Sequence, residues 1–370
     1  MDFGLSDEQE QLKTSARTFL QKECSPAILR KIMATEDGLA RGLYGEIAKL
    51  GWTGLIIPEK FGGAELSMLD MAVLLEEQGY AAMPGPFLFS SVLAASALSE
   101  FGSDALKSKW LGPIAEGRAT GTVAVVEADD GIEAQAINAR ARTSGGGFAI
   151  TGRKMFVPYA HGADVIVVAA RVGEAPSDVA LFAVEAKGAG VSIQNLKTLD
   201  LTRRVSIVDL KDAPATQLSG GAAALARLVD IASVAIAADS LGGSERALDM
   251  AVEYSKVREQ FGKPIGSFQA LKHLAAEQVA DIEPARALLW YAAYALDNDR
   301  PASPRYAAMV KARWSDIYTR TTDRSVLMHG GIGFTWEHDI HFWFKRSRFN
   351  ESYFGAPPYH RERVAVLGGY

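Results

Sequence analysis

The chain is almost without cysteine: Cys24 is the one thiol in 370 residues, which excludes an internal disulfide or a cysteine-built metal site and suits a reducing compartment. It also lacks a charge excess. There are 39 basic against 44 acidic residues, a net charge of −5, and no basic block, so a nucleic-acid surface is not expected. The opening Met1-Asp2-Phe3-Gly4 has no basic stretch leading into an apolar core, so no secretory signal is expected and the cytoplasm is the expected location. The longest uncharged stretch, 79–99, has the length of a membrane span, but Pro84-Gly85-Pro86 interrupts it and serines dilute it. No span is expected there, and 87–98 reads as a buried helix. Internal repeats, low-complexity tracts, a phosphate-binding P-loop and a Gly-x-Ser-x-Gly nucleophile motif are missing too.

What is present is an ordinary globular composition, 48% hydrophobic and 22% charged, in a chain long enough for two or three domains. Ser6-x-x-Gln9 reads as a capping box opening a helix whose apolar stripe includes Leu12, Ala16, Phe19 and Leu20. Helical patterning continues to about residue 118. The period then changes: 122–126, 165–170, 179–184 and 205–210 are short Val- and Ile-rich runs between turn clusters such as Gly145-Gly146-Gly147, and they read as antiparallel strands. From Ala222 long Ala- and Leu-rich helical patterns return, interrupted at Gly262-Lys263-Pro264, Asp299-Arg300-Pro301 and 330–333. The expected fold class is therefore α+β multidomain, with an N-terminal helical domain (1–120), a middle antiparallel β domain (121–215) and a C-terminal helical domain (222–370).

Few residues carry an isolated chemical signal. Gly330-Gly331-Ile332-Gly333 follows a helix rather than a strand, so it reads as a helix C-cap and turn, not a Rossmann fingerprint. Glu337-His338-x-x-His341 brings two imidazoles onto one turn without a third ligand, and no metal site is expected. His273, His329 and His360 read as structural. The richest segment is Tyr254-Ser-Lys-Val-Arg258-Glu-Gln260-Phe261-Gly262-Lys263-Pro264-Ile265, continuing to Phe268-Gln269. An arginine, amides and aromatic faces around a Gly-Pro turn provide charge-assisted donors for a pyrophosphate and a wall for a planar ring. A plain helix-turn-helix with a solvated arginine reads equally well from these residues alone.

With these segments in view, the sequence resembles the acyl-CoA dehydrogenase family along almost its whole length. Leu50-Gly-Trp52 through Pro58-Glu59-Lys-Phe-Gly62-Gly63 and Lys109-Trp110-Leu111 through Ile114-Ala115-x-Gly117 are similar to the family's N-terminal domain. Thr151-Gly152-x-Lys154 is similar to the middle domain. Arg258-x-Gln260-Phe261-Gly262 and Gly330-Gly331-x-Gly333-Phe334 are similar to the C-terminal domain, a four-helix bundle. The resemblance implies an FAD-dependent oxidoreductase of fatty-acid or steroid side-chain catabolism, assembled as a tetramer. It would convert an acyl-CoA thioester to the 2,3-enoyl-CoA, with a carboxylate base of raised pKa and the flavin as hydride acceptor. It further implies that Arg258, Gln260, Phe261, Phe268, Gln269, Gly330 and Gly331 contact the FAD of a neighbouring subunit. Electron-transfer flavoprotein or another acceptor would reoxidise the flavin.

The chain departs from the family where a subunit holds its own flavin and base. Val126 and Ile132 stand where the family has Thr and Ser, and the flavin-packing Trp-Ile-Thr becomes Phe156-Val157-Pro158; in the half that faces the neighbour's FAD, Leu327 replaces a glutamine donor. Phe354 occupies the position of the usual catalytic Glu. Ala232 occupies the alternative base position, and Ser233 replaces the adjacent Arg. No catalytic residue is assigned. The expected role is a subunit that completes a partner's FAD site in a hetero-oligomer. The alternatives are a homotetrameric dehydrogenase with a non-standard base, such as Asp239 or Glu351, and a flavin-free structural or acyl-CoA-binding protein.

Overall fold

The computed structural model describes residues 4–129, 131–175 and 177–370; residues 1–3, read above for a secretory signal, lie outside these. The first helices are α1 (Asp7–Glu23), α2 (Pro26–Met33), α3 (Arg41–Lys49), α4 (Met68–Tyr80), α5 (Ala95–Phe101) and α6 (Asp104–Ala115). The strands β1 (Gly121–Ala124), β2 (Arg140–Ser144), β3 (Gly147–Pro158), β4 (Val165–Arg171), β5 (Val179–Glu185), β6 (Val191–Asn195) and β7 (Val205–Gln217) follow. Then come α7 (Gly221–Val257), a two-residue hairpin of β8 (Glu259–Gln260) and β9 (Lys263–Pro264), α8 (Gln269–Asn298), α9 (Ser303–His329), α10 (His341–Ser352) and α11 (Pro357–Leu367). The chain forms two compact units. One holds Met1–Arg30, Met68–Met83 and Ser233–Tyr370, and the other Lys31–Ser67 and Pro84–Ala232.

In the first unit, α1 starts at the expected capping box, with Ser6 and Gln9 satisfying each other's backbone N–H groups. It packs on α4, while α8, α10 and α11 pack on α9. The helix α4 carries two adjacent buried carboxylates. Glu76 meets Lys13 at 2.7 Å and Arg286 at 2.6 Å, and Glu77 takes a two-pronged contact from Arg17. Burial raises the pKa of both carboxylates, and the cations from α1 and α8 offset that cost. The helix α7 has the length and apolarity of a membrane span, but most of its apolar stretch is buried inside the protein, which makes it a core helix.

The second unit is built on a seven-stranded sheet. The pairings β4–β5, β5–β7, β7–β3 and β3–β2 are antiparallel, and a single parallel bridge between Arg140 and Arg171 links β2 to β4, so the path closes on itself. Closure removes the exposed edges of a flat sheet. At the weak seam the Arg171 guanidinium donates to the carbonyls of Ile137 (3.0 Å), Ala134 (2.8 Å) and Ala175 (2.6 Å). The Val-rich β4 and β5 are buried on both faces, as unbroken apolar runs require. The sheet is mixed rather than purely antiparallel, because β1 pairs with β4 in parallel. The forty residues between those two strands supply the crossover that a parallel pair needs. Residues 87–98 form the expected buried helix, with a π-helical stretch at Leu88–Ala94 running into α5.

Candidate functional site

The end of α7 builds a groove. Glu259–Gln260 pairs with Lys263–Pro264, and the turn between them holds Phe261 and Gly262 at φ 56° and 77°. Glycine takes this conformation freely, but a phenylalanine does so at a cost in strain. Here it leaves the Phe261 ring 92% exposed. At the end of α9, Gly330 has φ 64° and ψ −143°, a backbone region open essentially to glycine alone. A side chain added at Gly330 or Gly331 would meet nothing within 4 Å, so the backbone there stands open. Together these segments line a groove of about 660 Å³.

Arg258, Gln260, Phe261, Phe268, Gly330 and Gly331, far apart in sequence, meet around this groove. Gln269 is exposed at the start of α8, beside Phe268 and outside the lining. Among the described residues Arg258 has no carboxylate in ion-pairing distance, and the Gln260 amide is engaged only by the neighbouring Glu259 carbonyl at 2.8 Å. Phe261 and Phe268 meet edge to face at 6.1 Å, with Lys263 4.5 Å above the Phe268 ring. Behind the groove, Tyr254 stacks on His329 at 4.8 Å, and the His338 ring lies tilted against His329 at 4.3 Å. Burial holds the pKa of both histidines down, so they support the wall as neutral rings. A guanidinium without a carboxylate among the described residues, an amide, aromatic faces and an open diglycine fit a ligand that joins phosphates to planar rings. Leu327, 65% exposed, adds an apolar lip where the resemblance implies a polar donor.

The positions where the resemblance implies a base are closed. Phe354 is buried, with φ 56° and its ring edge to face with Tyr353 at 4.9 Å. Its loop is held by the fully buried Lys311, whose Nζ donates to the carbonyls of Glu351 (3.0 Å) and Gly355 (2.8 Å), and by His360, 2.8 Å from the Phe354 carbonyl. Ala232 is buried within α7. Asp239 is buried, accepting from Asn350 at 2.8 Å and facing Arg346 at 3.5 Å, while Arg346 also donates to the Met83 carbonyl at 3.0 Å. Glu351 is partly exposed, 3.8 Å from Arg348. Neither Lys311 nor Arg346 carried a chemical signal in the sequence, where each sits in a helical pattern that also suits a surface cation.

Burial lowers the Lys311 pKa to about 7 and that of His360, which also faces Lys311, to about 3. Between about pH 7 and the free lysine value of about 10.5, the unfolded chain therefore holds a proton at Lys311 that the folded chain has released, and stability rises with pH. Lys311→Met should lower stability overall and flatten this rise. Urea unfolding of both proteins at pH 7 and pH 9 checks it, and parallel pH slopes would refute it.

In the β domain, Val126 and Ile132 are buried apolar residues. Phe156 sits at a β-bulge of β3 with φ 53° and is 44% exposed. Pro158 has no N–H to offer, and its carbonyl accepts from Thr122 at 2.6 Å. Below them Glu127 accepts from Lys154 at 2.6 Å and from the backbone N–H groups of Asn138 and Ala139, both at 2.9 Å. This pair is buried, and desolvation lowers the Lys154 pKa to about 8 despite the carboxylate. At the positions where the resemblance implies flavin contacts, Val126 and Ile132 bring no side-chain hydroxyl and Pro158 no backbone donor.

The relationship to known proteins is direct. Family models for the acyl-CoA dehydrogenase N-terminal, middle and C-terminal domains match residues 6–118, 122–209 and 219–366. The chain belongs to the acyl-CoA dehydrogenase family. It is 33% identical to acyl-CoA dehydrogenase IpdE2 of Mycolicibacterium smegmatis over 98% of both chains. Among solved structures it is similar to a chain of a variant of the Tcur3481-Tcur3483 steroid ACAD, with 31% identity, a TM-score of 0.91 and coverage of 98% of both chains. It is also similar to the ChsE4-ChsE5 complex from Mycobacterium tuberculosis, with 29% identity, a TM-score of 0.91 and coverage of 100% and 99%. The helical, β, helical architecture is that of the family, whose members are FAD-binding oxidoreductases acting on acyl-CoA thioesters.

Proposed function

We propose that this acyl-CoA dehydrogenase-family chain is the subunit of a hetero-oligomer that completes the FAD site of a second family chain, the one carrying the catalytic carboxylate. One juxtaposition carries this reading: the groove at Arg258 is assembled and open, while Phe354 and Ala232 leave both base positions apolar and buried. FAD, when bound, supplies the hydride acceptor for oxidation of an acyl-CoA to the 2,3-enoyl-CoA. This chain's part is to hold. Arg258 and Gln260 would pair with the pyrophosphate, Phe261 and Phe268 would cover the nucleotide beside Gln269, and Gly330-Gly331 would let the backbone approach closely. The related structures, a steroid ACAD and a two-chain complex, support a steroid-derived acyl-CoA as the substrate class and a second family chain as the partner. Electron-transfer flavoprotein or another acceptor then takes the electrons, and the assembly works in the cytoplasm.

The chain purified alone should hold little FAD and show no acyl-CoA oxidation with an artificial acceptor. Co-expression with a family chain that has the glutamate should give a yellow, active complex. Stoichiometric flavin with turnover from the single chain would overturn the proposal. Arg258→Ala should weaken FAD retention of the complex by roughly 10- to 100-fold, the worth of about 1.5–3 kcal/mol of charge-assisted hydrogen bonding. Because Arg258 is exposed and unpaired, the unfolding midpoint of the chain alone should not move. Unchanged flavin content in the complex would remove Arg258 from the cofactor site.

A further inference from the structure

A second cavity, of about 240 Å³, lies in the helical unit and shares no lining residue with the groove. Its floor is apolar: Leu20 and Cys24 at the end of α1, Ala81 after α4, and Trp343 on α10. Trp343 is locked by its Nε1, which faces the carbonyls of Gly79 and Tyr80 at 3.2 Å. Burial pushes the Cys24 thiol up to about 12, so it stays neutral and behaves as part of that floor.

The rim is charged, and its charges are unequally matched. Arg17 contacts both oxygens of Glu77, which leaves that pair neutral. Arg246 has no carboxylate in ion-pairing distance among the described residues. Its guanidinium lies 5.5 Å from the Tyr80 ring and 5.8 Å from the Trp343 ring. The Tyr80 hydroxyl gives its proton to Asp249 at 2.8 Å, so it faces Arg246 as an acceptor and leaves the remaining guanidinium donors free.

We propose that this cavity binds a compact monocarboxylic acid, the carboxylate on Arg246 and the apolar body on Leu20, Cys24, Ala81 and Trp343. A planar fork of N–H donors matches a carboxylate, and the flanking rings orient it. An apolar cavity of about 150 Å³ admits benzene, so the volume here takes one ring and its carboxylate. One unmatched positive charge selects one negative charge. Glu77 in the wall, with Glu245 and Asp249 beside Arg246 on α7, would repel a multiply phosphorylated ligand. The proposal does not depend on the role assigned to the dinucleotide groove.

Calorimetric titration of the full chain with sodium benzoate tests it. The expected result is saturable binding at one site, weakened at least about tenfold by Arg246→Met and by replacing benzoate with neutral benzamide. Leu20→Trp, which fills the floor and leaves Arg246 in place, should abolish binding, and it decides the matter together with benzamide should the Arg246 variant fail to fold. Absence of saturable binding to the unmodified chain would overturn the proposal. So would equal affinity for benzamide, or loss of binding in Arg258→Ala, which would place the ligand in the other groove.

Discussion

Gly242→Ala should destabilise the helical unit by roughly 3 kcal/mol or more, and Gly242→Val should prevent it from folding. The helices α4 and α7 cross with their backbones in contact. A methyl group at position 242 would lie 1.7 Å from the Glu76 carbonyl oxygen, and one at position 79 would lie 2.0 Å from the Asp239 carbonyl oxygen. A clash with a side chain can be relieved by a new rotamer, but these atoms belong to helix backbones, so the helices themselves would have to part. Parting them would also draw Glu76 away from Lys13 and Arg286, leaving buried charges less well paired. The contrast is Gly45, in the middle of α3, where an added methyl group meets nothing within 4 Å. Gly45→Ala should stabilise by roughly 0.5–1 kcal/mol through helix propensity alone. Urea unfolding of the two variants should give shifts of opposite sign, and a Gly242→Ala midpoint equal to that of the unmodified chain would refute the close-crossing argument.

Asp239→Ala should cost about 3–5 kcal/mol, because it leaves the fully buried Arg346 guanidinium without its carboxylate. Asp239→Asn separates a structural carboxylate from a catalytic one. A base replaced by its amide keeps the fold and loses turnover by orders of magnitude. Here both oxygens are engaged, by Asn350 at 2.8 Å and Arg346 at 3.5 Å. The amide should therefore lower stability while the folded, co-assembled enzyme keeps its turnover per flavin. The reverse result, a stable yellow protein without activity, would establish Asp239 as the base and this chain as a self-sufficient dehydrogenase.

The elements that were legible were those whose signal is local. The capping box at Ser6, the helix breaks at Gly262-Lys263-Pro264 and Asp299-Arg300-Pro301, and the Val-rich β4 and β5 all appear where their residues place them. Strands β2, β3 and β6 escaped notice for a physical reason. Arg140–Ser144 is largely exposed and polar, Val191–Asn195 is largely exposed, and Gly147–Pro158 is half-exposed with a bulge, so none presents an unbroken apolar run. Their pairing partners hold them. The β7 strand alone registers β3, β5 and β6 along its thirteen residues. The parallel pairing of β1 with β4 was likewise beyond reach, since it depends on where a forty-residue crossover ends.

The site divides along the same line. The sequence by itself carried the family resemblance, the order of helical and β segments, and the residue types around Arg258 and Gly330 and at Phe354 and Ala232, where the resemblance implies a base, because each is a statement about residue type at a spacing. Only the tertiary structure decided that Arg258 and Gly330 line one groove, and that among the described residues Arg17 has a carboxylate partner whereas Arg258 and Arg246 have none. It decided equally that Asp239 is sealed against Arg346 and Asn350 instead of standing open as a base. Whether a charge is free or spent depends on which groups lie within a few ångströms of it and how much water remains. Chain folding brings residues 239 and 346, or 258 and 330, to that distance, and their positions in the sequence carry no trace of it.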